Sequence, residues 1–187
     1  KSNEHKAEIW IEEGDLEELK IEQFGSRLKI KWTDRAKIWR GDNHKRKAKI
    51  KLYYKELTAV SVSAGARVNS RDMIKADDFE IDASSGGHMN LEVKANTVDA
   101  DVSSGGSAEI EGSTGRLVVD ASSGGSFRGQ DFEATRVKAR ASSGGNAKVW
   151  ATDSLEASSS SGGNVRYRGN PSERDISSSK WSGGSVR

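Results

Sequence analysis

The chain contains no cysteine. That excludes a disulfide framework and any thiolate metal site. It has one proline, and only 6% of its 187 residues are aromatic. Hydrophobic residues make up 33%, which is low for a thick globular core. No run is apolar enough to span a bilayer. The histidines, His5, His44 and His88, lie far apart without metal-ligand spacing. There is no nucleophile elbow and no phosphate-binding loop. Ser177-Ser178-Ser179-Lys180 matches the pattern S-x-x-K, but it falls on a predicted strand without companion motifs and is a chance match in a serine-rich chain. These gaps argue against an enzyme: no catalytic residue and no cofactor is predicted. No signal peptide precedes Lys1, as in a mature or trimmed exported chain.

What the chain has instead is a repeat. Ala83-Ser84-Ser85-Gly86-Gly87 returns as Ser103-Ser104-Gly105-Gly106, Ser122-Ser123-Gly124-Gly125, Ser142-Ser143-Gly144-Gly145 and Ser160-Ser161-Gly162-Gly163. Degenerate copies stand at Ser63-Ala64-Gly65-Ala66 and Trp181-Ser182-Gly183-Gly184. The first glycines are spaced by 21, 19, 19, 20, 18 and 21 residues. A period near 20 is that of a solenoid. Flexible Ser-Gly linkers are the competing explanation, and the flanks exclude it. Five residues before each corner stand Phe79, Val98, Leu117, Val137, Leu155 and Ile176. Five residues after the first serine stand Met89, Ala108, Phe127, Ala147 and Val165. Apolar residues recur every second position on both sides, the mark of a strand with one buried face. Seven after the first serine, Leu91, Ile110, Val149 and Tyr167 align, with Gly129 as a gap.

The fold predicted is all-β: a single-domain parallel β-solenoid with coils of about 20 residues and Ser-Ser-Gly-Gly corners. Each coil reads as strand, corner, strand and second turn. Glycine at the corner permits positive φ and close backbone approach, and the serine hydroxyls are placed to bond the coils above and below. Residues 57–187 form the regular coils. Residues 1–56 supply irregular opening coils or a cap, within one continuous domain. Net charge is +2, but residues 1–26 hold eight acidic against three basic side chains, and residues 27–55 hold twelve basic against two acidic. The basic block, with Trp32, Trp39, Tyr53 and Tyr54 interleaved, has the composition of a nucleic-acid surface. Its alternation with apolar residues favours a solvated strand face, or pairing with the acidic strand around Glu8 and Glu12.

The corners together with Leu57-Thr-Ala-Val-Ser-Val-Ser-Ala-Gly-Ala66, the segment Gly162-Gly-Asn-Val-Arg-Tyr-Arg-Gly-Asn-Pro171 and the closing Trp181-Ser-Gly-Gly184 resemble the head-GIN-domain auto-transporter adhesin family of Bacteroidetes. The resemblance covers about Glu8 to Arg187. Lys180-Trp181 departs from it, since other corners have two small residues there. The resemblance implies a right-handed β-helix, export to the periplasm, outer membrane or cell surface, and an adhesin-like role. It carries no catalytic motif.

Stacking would turn outward residues into ladders. Glu80, Asp82, Asp99, Asp101 and Asp120 would form an acidic patch beside Lys138 and Arg140, with the charge and oxygen ligands for a cation such as Ca²⁺; a solvated face that discourages sheet aggregation is the plainer alternative. On the strand after the corner, one column runs Asn90, Glu109, Arg128, Lys148, Arg166 and Arg187. Beside it runs Glu92, Glu111, Gln130, Trp150 and Arg168. Arg128, Lys148, Arg166 and Arg168 thus surround an outward Trp150, suited to a sugar ring or an anionic glycan. The plainer alternative packs Trp150 on the stem of Arg168. The function expected is a non-enzymatic, adhesin-like envelope or surface protein that binds glycans or envelope polysaccharide through solenoid faces. A structural protein associating with its own copies is the alternative, and a polysaccharide-acting β-helix enzyme ranks third.

Overall fold

The computed structural model describes residues 6–33, 46–178 and 183–187. His5, His44, Trp39 and Lys180-Trp181 lie outside them. No α-helix occurs among the described residues, and no helix is long and apolar enough to cross a membrane. The chain divides into two compact units, one reaching to Lys55 and the other spanning Glu56–Arg187.

In the first unit, strands β1 (Lys6–Glu13) and β4 (Lys47–Tyr53) pair antiparallel, as do β2 (Leu19–Phe24) and β3 (Arg27–Trp32). The described strands of this unit thus pair antiparallel, unlike stacked coils. The β1–β4 register sets Glu8 opposite Lys51 and Trp10 opposite Lys49. Glu12 bonds Lys47 at 2.7 Å and also pairs with Lys49. Hydrogen bonds from Lys47, then Lys49, hold the Glu12 carboxyl down at about 2. Part of the basic block, Lys47 and Lys49, is therefore answered by the acidic strand before it.

The second unit is a parallel β-solenoid of about seven turns. Its strands are β5 (Ala59–Val62), β6 (Arg67–Asn69), β7 (Ile74–Ala83), β8 (His88–Val102), β9 (Ser107–Ala121), β10 (Ser126–Ala141), β11 (Asn146–Ser159), β12 (Asn164–Arg168), β13 (Glu173–Ser178) and β14 (Ser185–Val186). Val62, Ala83, Val102, Ala121, Ala141 and Ser159 stand in register, one per coil.

The corners explain this register. At Ser84–Gly87, the Gly87 N–H donates to the Ser84 carbonyl at 2.8 Å. Ser85 and Gly86 both have positive φ, 48° and 73°, the sign pattern of a type I′ turn. The Gly86 N–H is thereby freed to reach the Ser104 carbonyl of the next coil at 3.2 Å. The bond that ties corners across coils is thus a main-chain one. The two glycines serve different ends. A Cβ on Gly86 would meet nothing within 4 Å, so only φ demands glycine there. A Cβ on Gly87 would lie 2.5 Å from the Val62 carbonyl oxygen of the previous coil. The corners at Ser103, Ser122 and Ser142 repeat both patterns, and Gly163 repeats the second against the Ala141 carbonyl.

The second turn differs from the expectation. β8 to β11 pass through it as single strands. From β7 to β10 the ladder skips only a pivot, such as Asp77, Asn96 or Gly115, while β11 skips Thr152 and Asp153 against Thr135. Asn96 there donates from Nδ2 to Asp77 Oδ1 at 3.0 Å, and Thr114 Oγ1 donates to the Asn96 carbonyl at 3.2 Å.

Phe79, Phe127 and Phe132 are at most 1% exposed, among columns of Val, Leu and Ala, so a low apolar content is enough. Gly129, the gap in its column, is filled from two residues away: a Cβ there would lie 2.6 Å from Phe127 Cε1. Ile176 departs from its expected burial. It stands in register with Ala157 but is 43% exposed, because β13 is the last strand of that column among the described residues.

The two corner glycines should fail by different amounts. Gly124→Ala places a Cβ in open space at φ 76° and should cost about 1–2 kcal/mol. Gly125→Ala drives its Cβ into the Val102 carbonyl and should cost more than about 3 kcal/mol. Urea unfolding of both variants checks the order; equal losses would refute the steric role of the second glycine.

Candidate ligand-binding faces of the solenoid

The two predicted ladders are built by strands on either side of the corner. Before it, Ser61, Asp82, Asp101, Asp120, Arg140, Ser158 and Ser177 stand in register on successive coils. Beside them runs Glu80, Asp99, Val118, Lys138 and Glu156. Parallel stacking sets neighbours in a column about 4.8 Å apart, so Glu80, Asp82, Asp99, Asp101 and Asp120 share one face. Burial pushes the Asp101 carboxyl up from its ordinary value, and Asp120, Asp82 and Asp99 add to the push in that order. Ser61 Oγ donates to Asp82 Oδ2 at 3.2 Å, and Lys138 is drawn to Glu156 at 2.6 Å on the next coil. Side chains from a flat sheet project in parallel and do not converge. Among the described residues, no group of three or more histidine, aspartate or glutamate side chains is arranged to hold a metal ion.

After the corner, Arg128 stands opposite Lys148 and Lys148 opposite Arg166. Arg187 donates from N–H to the Val165 carbonyl at 3.0 Å and accepts from the Tyr167 N–H at 2.9 Å, which sets it opposite Arg166. Four cations therefore occupy four successive coils. Arg128 is partly answered by Glu109 at 3.8 Å. Lys148, Arg166 and Arg187 have no carboxylate within 4.0 Å among the described residues.

The neighbouring column departs from the expected one. β10 holds an extra residue, absorbed after Arg128. Glu111 consequently faces Asp131. Against β11, β10 holds three more residues between Arg128 and Glu133, so Trp150 faces Glu133 on one side and Arg168 on the other; Gln130 drops out of the column. Trp150 is half-buried. The Arg168 guanidinium lies 4.0 Å from its ring centroid, and Arg168 Nη2 is 3.6 Å from Asp131 Oδ1. The ring thus has one face covered by a cation that a carboxylate holds in turn. The structure brings Arg128, Lys148, Arg166, Arg168 and Trp150 onto one face. Arg187 closes the basic column as its position in the repeat predicts. The structure adds Asp131, which the extra residue hid from sequence alignment of the coils.

His88, the one histidine among the described residues, contacts the Gly86 carbonyl at 2.7 Å from Nδ1. The S-x-x-K lysine lies outside the described residues.

The family described as "Putative auto-transporter adhesin, head GIN domain" matches residues 1–171. The chain belongs to this family. Three crystal structures share the fold. A "putative adhesin" from Bacteroides fragilis superposes with a TM-score of 0.80 at 19% identity, over 91% of this chain and 75% of that one. A "putative lipid binding protein" from Parabacteroides distasonis gives 0.62 at 21%, over 99% and 85%. A "putative adhesin" from Parabacteroides merdae gives 0.58 at 18%, over 96% and 81%. No curated protein matches the chain in sequence. The family and these neighbours carry adhesin or lipid-binding descriptions and none of an enzyme.

The acidic ladder makes a prediction about pH. A carboxyl whose folded pKa is raised binds its proton more readily in the folded than in the unfolded chain. It therefore costs stability above its folded pKa, and the cost fades as pH falls from there and is gone below the unfolded value of about 3.9. Asp101→Asn should raise the thermal midpoint at neutral pH and leave it unchanged near pH 3 or below. Thermal melts across pH decide this, and a lowered midpoint at pH 7 would contradict it.

Proposed function

We propose that this adhesin-family protein is a non-enzymatic cell-envelope or surface protein that binds an anionic glycan or envelope polysaccharide through the basic face of its solenoid. The observation that supports this is the column Arg128, Lys148, Arg166 and Arg187. Like charges directly opposite on neighbouring strands destabilise a sheet, yet three of these four have no acidic partner among the described residues. An anion bound along the column removes that repulsion. Trp150 acts here by holding Arg168, whose guanidinium covers one ring face, more than as an open platform for a sugar. Export to the periplasm, outer membrane or cell surface is part of this reading and rests on the family.

The test is binding of the purified protein to an array of neutral and acidic glycans at low and physiological salt. Binding to acidic glycans is expected, reduced about tenfold in the double variant Lys148→Gln/Arg166→Gln and unchanged in Arg140→Gln, a cation on the strand before the corner. Retention of wild-type binding by the double variant would refute the site. An absence of glycan binding, with mass rising with protein concentration, would replace this reading with self-association.

A further inference from the structure

The basic column has a period, and a ligand that fits it must share that period. Arg128, Lys148, Arg166 and Arg187 sit one per coil, and coils advance by about 4.8 Å. Three steps carry the charges over about 14 Å in a straight line along the solenoid axis. The column is bounded on one side: Glu109 precedes Arg128 in register, and Asn90 precedes Glu109. The repelling end thus begins at the coil of Arg128. The column alongside does not extend the cationic surface evenly, because Arg168 is held between Trp150 and Asp131. What remains is a narrow row and not a broad basic patch.

We propose that the ligand of this face is a linear polyuronate-type polysaccharide, lying along the solenoid axis with successive sugar carboxylates on successive coils. This rests on the reading of the basic face as the binding surface and gives that surface its substrate class. A chain bearing one carboxylate per ring has a sugar-to-sugar step on the order of one coil; with its rings turned so that the carboxylates face the wall, each added sugar gains one more cation until the row is filled. A small anion fills a single position. A neutral glycan leaves the cations repelling one another. A free aromatic platform is not required, which agrees with one face of Trp150 being covered. The opposite ladder excludes the same ligand: Glu80, Asp82, Asp99, Asp101 and Asp120 repel a polyanion across the acidic face, so the chain is directed to one side of the corner.

The experiment is a length series with the whole protein: oligogalacturonates of one to six units, their fully methyl-esterified counterparts, inorganic polyphosphate and double-stranded DNA, titrated at one fixed salt concentration. Affinity is expected to rise with each unit up to four and then to level off. The esterified series should not bind. Lys148→Gln, Arg166→Gln and Arg187→Gln should each weaken the tetramer about two- to fivefold, while Arg140→Gln leaves it unchanged. Equal thermal midpoints of these variants would confirm that folding is intact. Binding of acidic glycans that is independent of length, or indifferent to all three substitutions, overturns the axial register and leaves the adhesin reading standing. Equal affinity for polyphosphate and DNA, with the same sensitivity to the variants, also overturns it, as charge attraction without matched spacing. An absence of binding to every glycan, charged or neutral, defeats the underlying reading itself.

Discussion

The structure depends on a close approach of main chain to main chain at each corner. The second glycine lies where the carbonyl of the preceding coil leaves no room for a Cβ, as Gly87 does against Val62. The first glycine and the serine before it take positive φ, which turns the intervening N–H toward the next coil. Neither feature alone fixes the stack. The left-handed pair makes the chain turn, and the missing Cβ lets the turn settle at strand spacing. A left-handed serine costs about 1–2 kcal/mol, and the repeated main-chain bond from corner to corner offsets that cost. Once coils are pinned at both ends of a strand, a slip of register would turn apolar columns outward.

From this pinning follow the interior columns and the ladders alike. A coil that must repeat cannot vary its cross-section much, so where one column loses a side chain a neighbour has to fill the space. Phe127 does so for Gly129. Outside, the same constraint forces like residues to face one another across coils. The protein answers this in two ways. It alternates signs where it pairs Lys138 with Glu156. It lets repulsion stand at Asp101, among three other carboxylates, and along the basic column. In the first unit, where strands run antiparallel, Glu12 sits between Lys47 and Lys49 and its carboxyl is held low. The contrast is a matter of topology: antiparallel pairing brought an acidic strand against a basic one, while parallel stacking of a repeat sets each strand against a version of itself.

That difference also decides what could be read from the sequence. The corners, the columns and both ladders were legible because each repeats, and repetition places residues in space without knowledge of the fold. The second turn was not, because its pivot is a single residue whose type changes from Asp77 to Asn96 to Gly115. The extra residue in β10 left a trace as the 20-residue interval before Gly144, but the interval does not say where the residue is absorbed. Gln130 was therefore aligned where Asp131 and Glu133 stand. The pairing of β1 with β4 across more than thirty residues had only charge to announce it, and charge does not set strand direction.

The outward face of a solenoid strand has little means of recognition by enclosure. Its side chains leave the sheet in parallel, so they meet a ligand as rows and not as a converging set. The absence of a metal-binding group among the described residues and the fate of Trp150 have this same origin. Five carboxylates on one face do not point at a common centre, and a tryptophan in an outward column meets the residue of the next coil, here Arg168, before it meets solvent. What such a wall does possess is a ruler. Spacing along the axis is held by the main chain and does not depend on side-chain rotamers. Discrimination on this surface is therefore a question of whether the partner's charges recur at the interval of the coils.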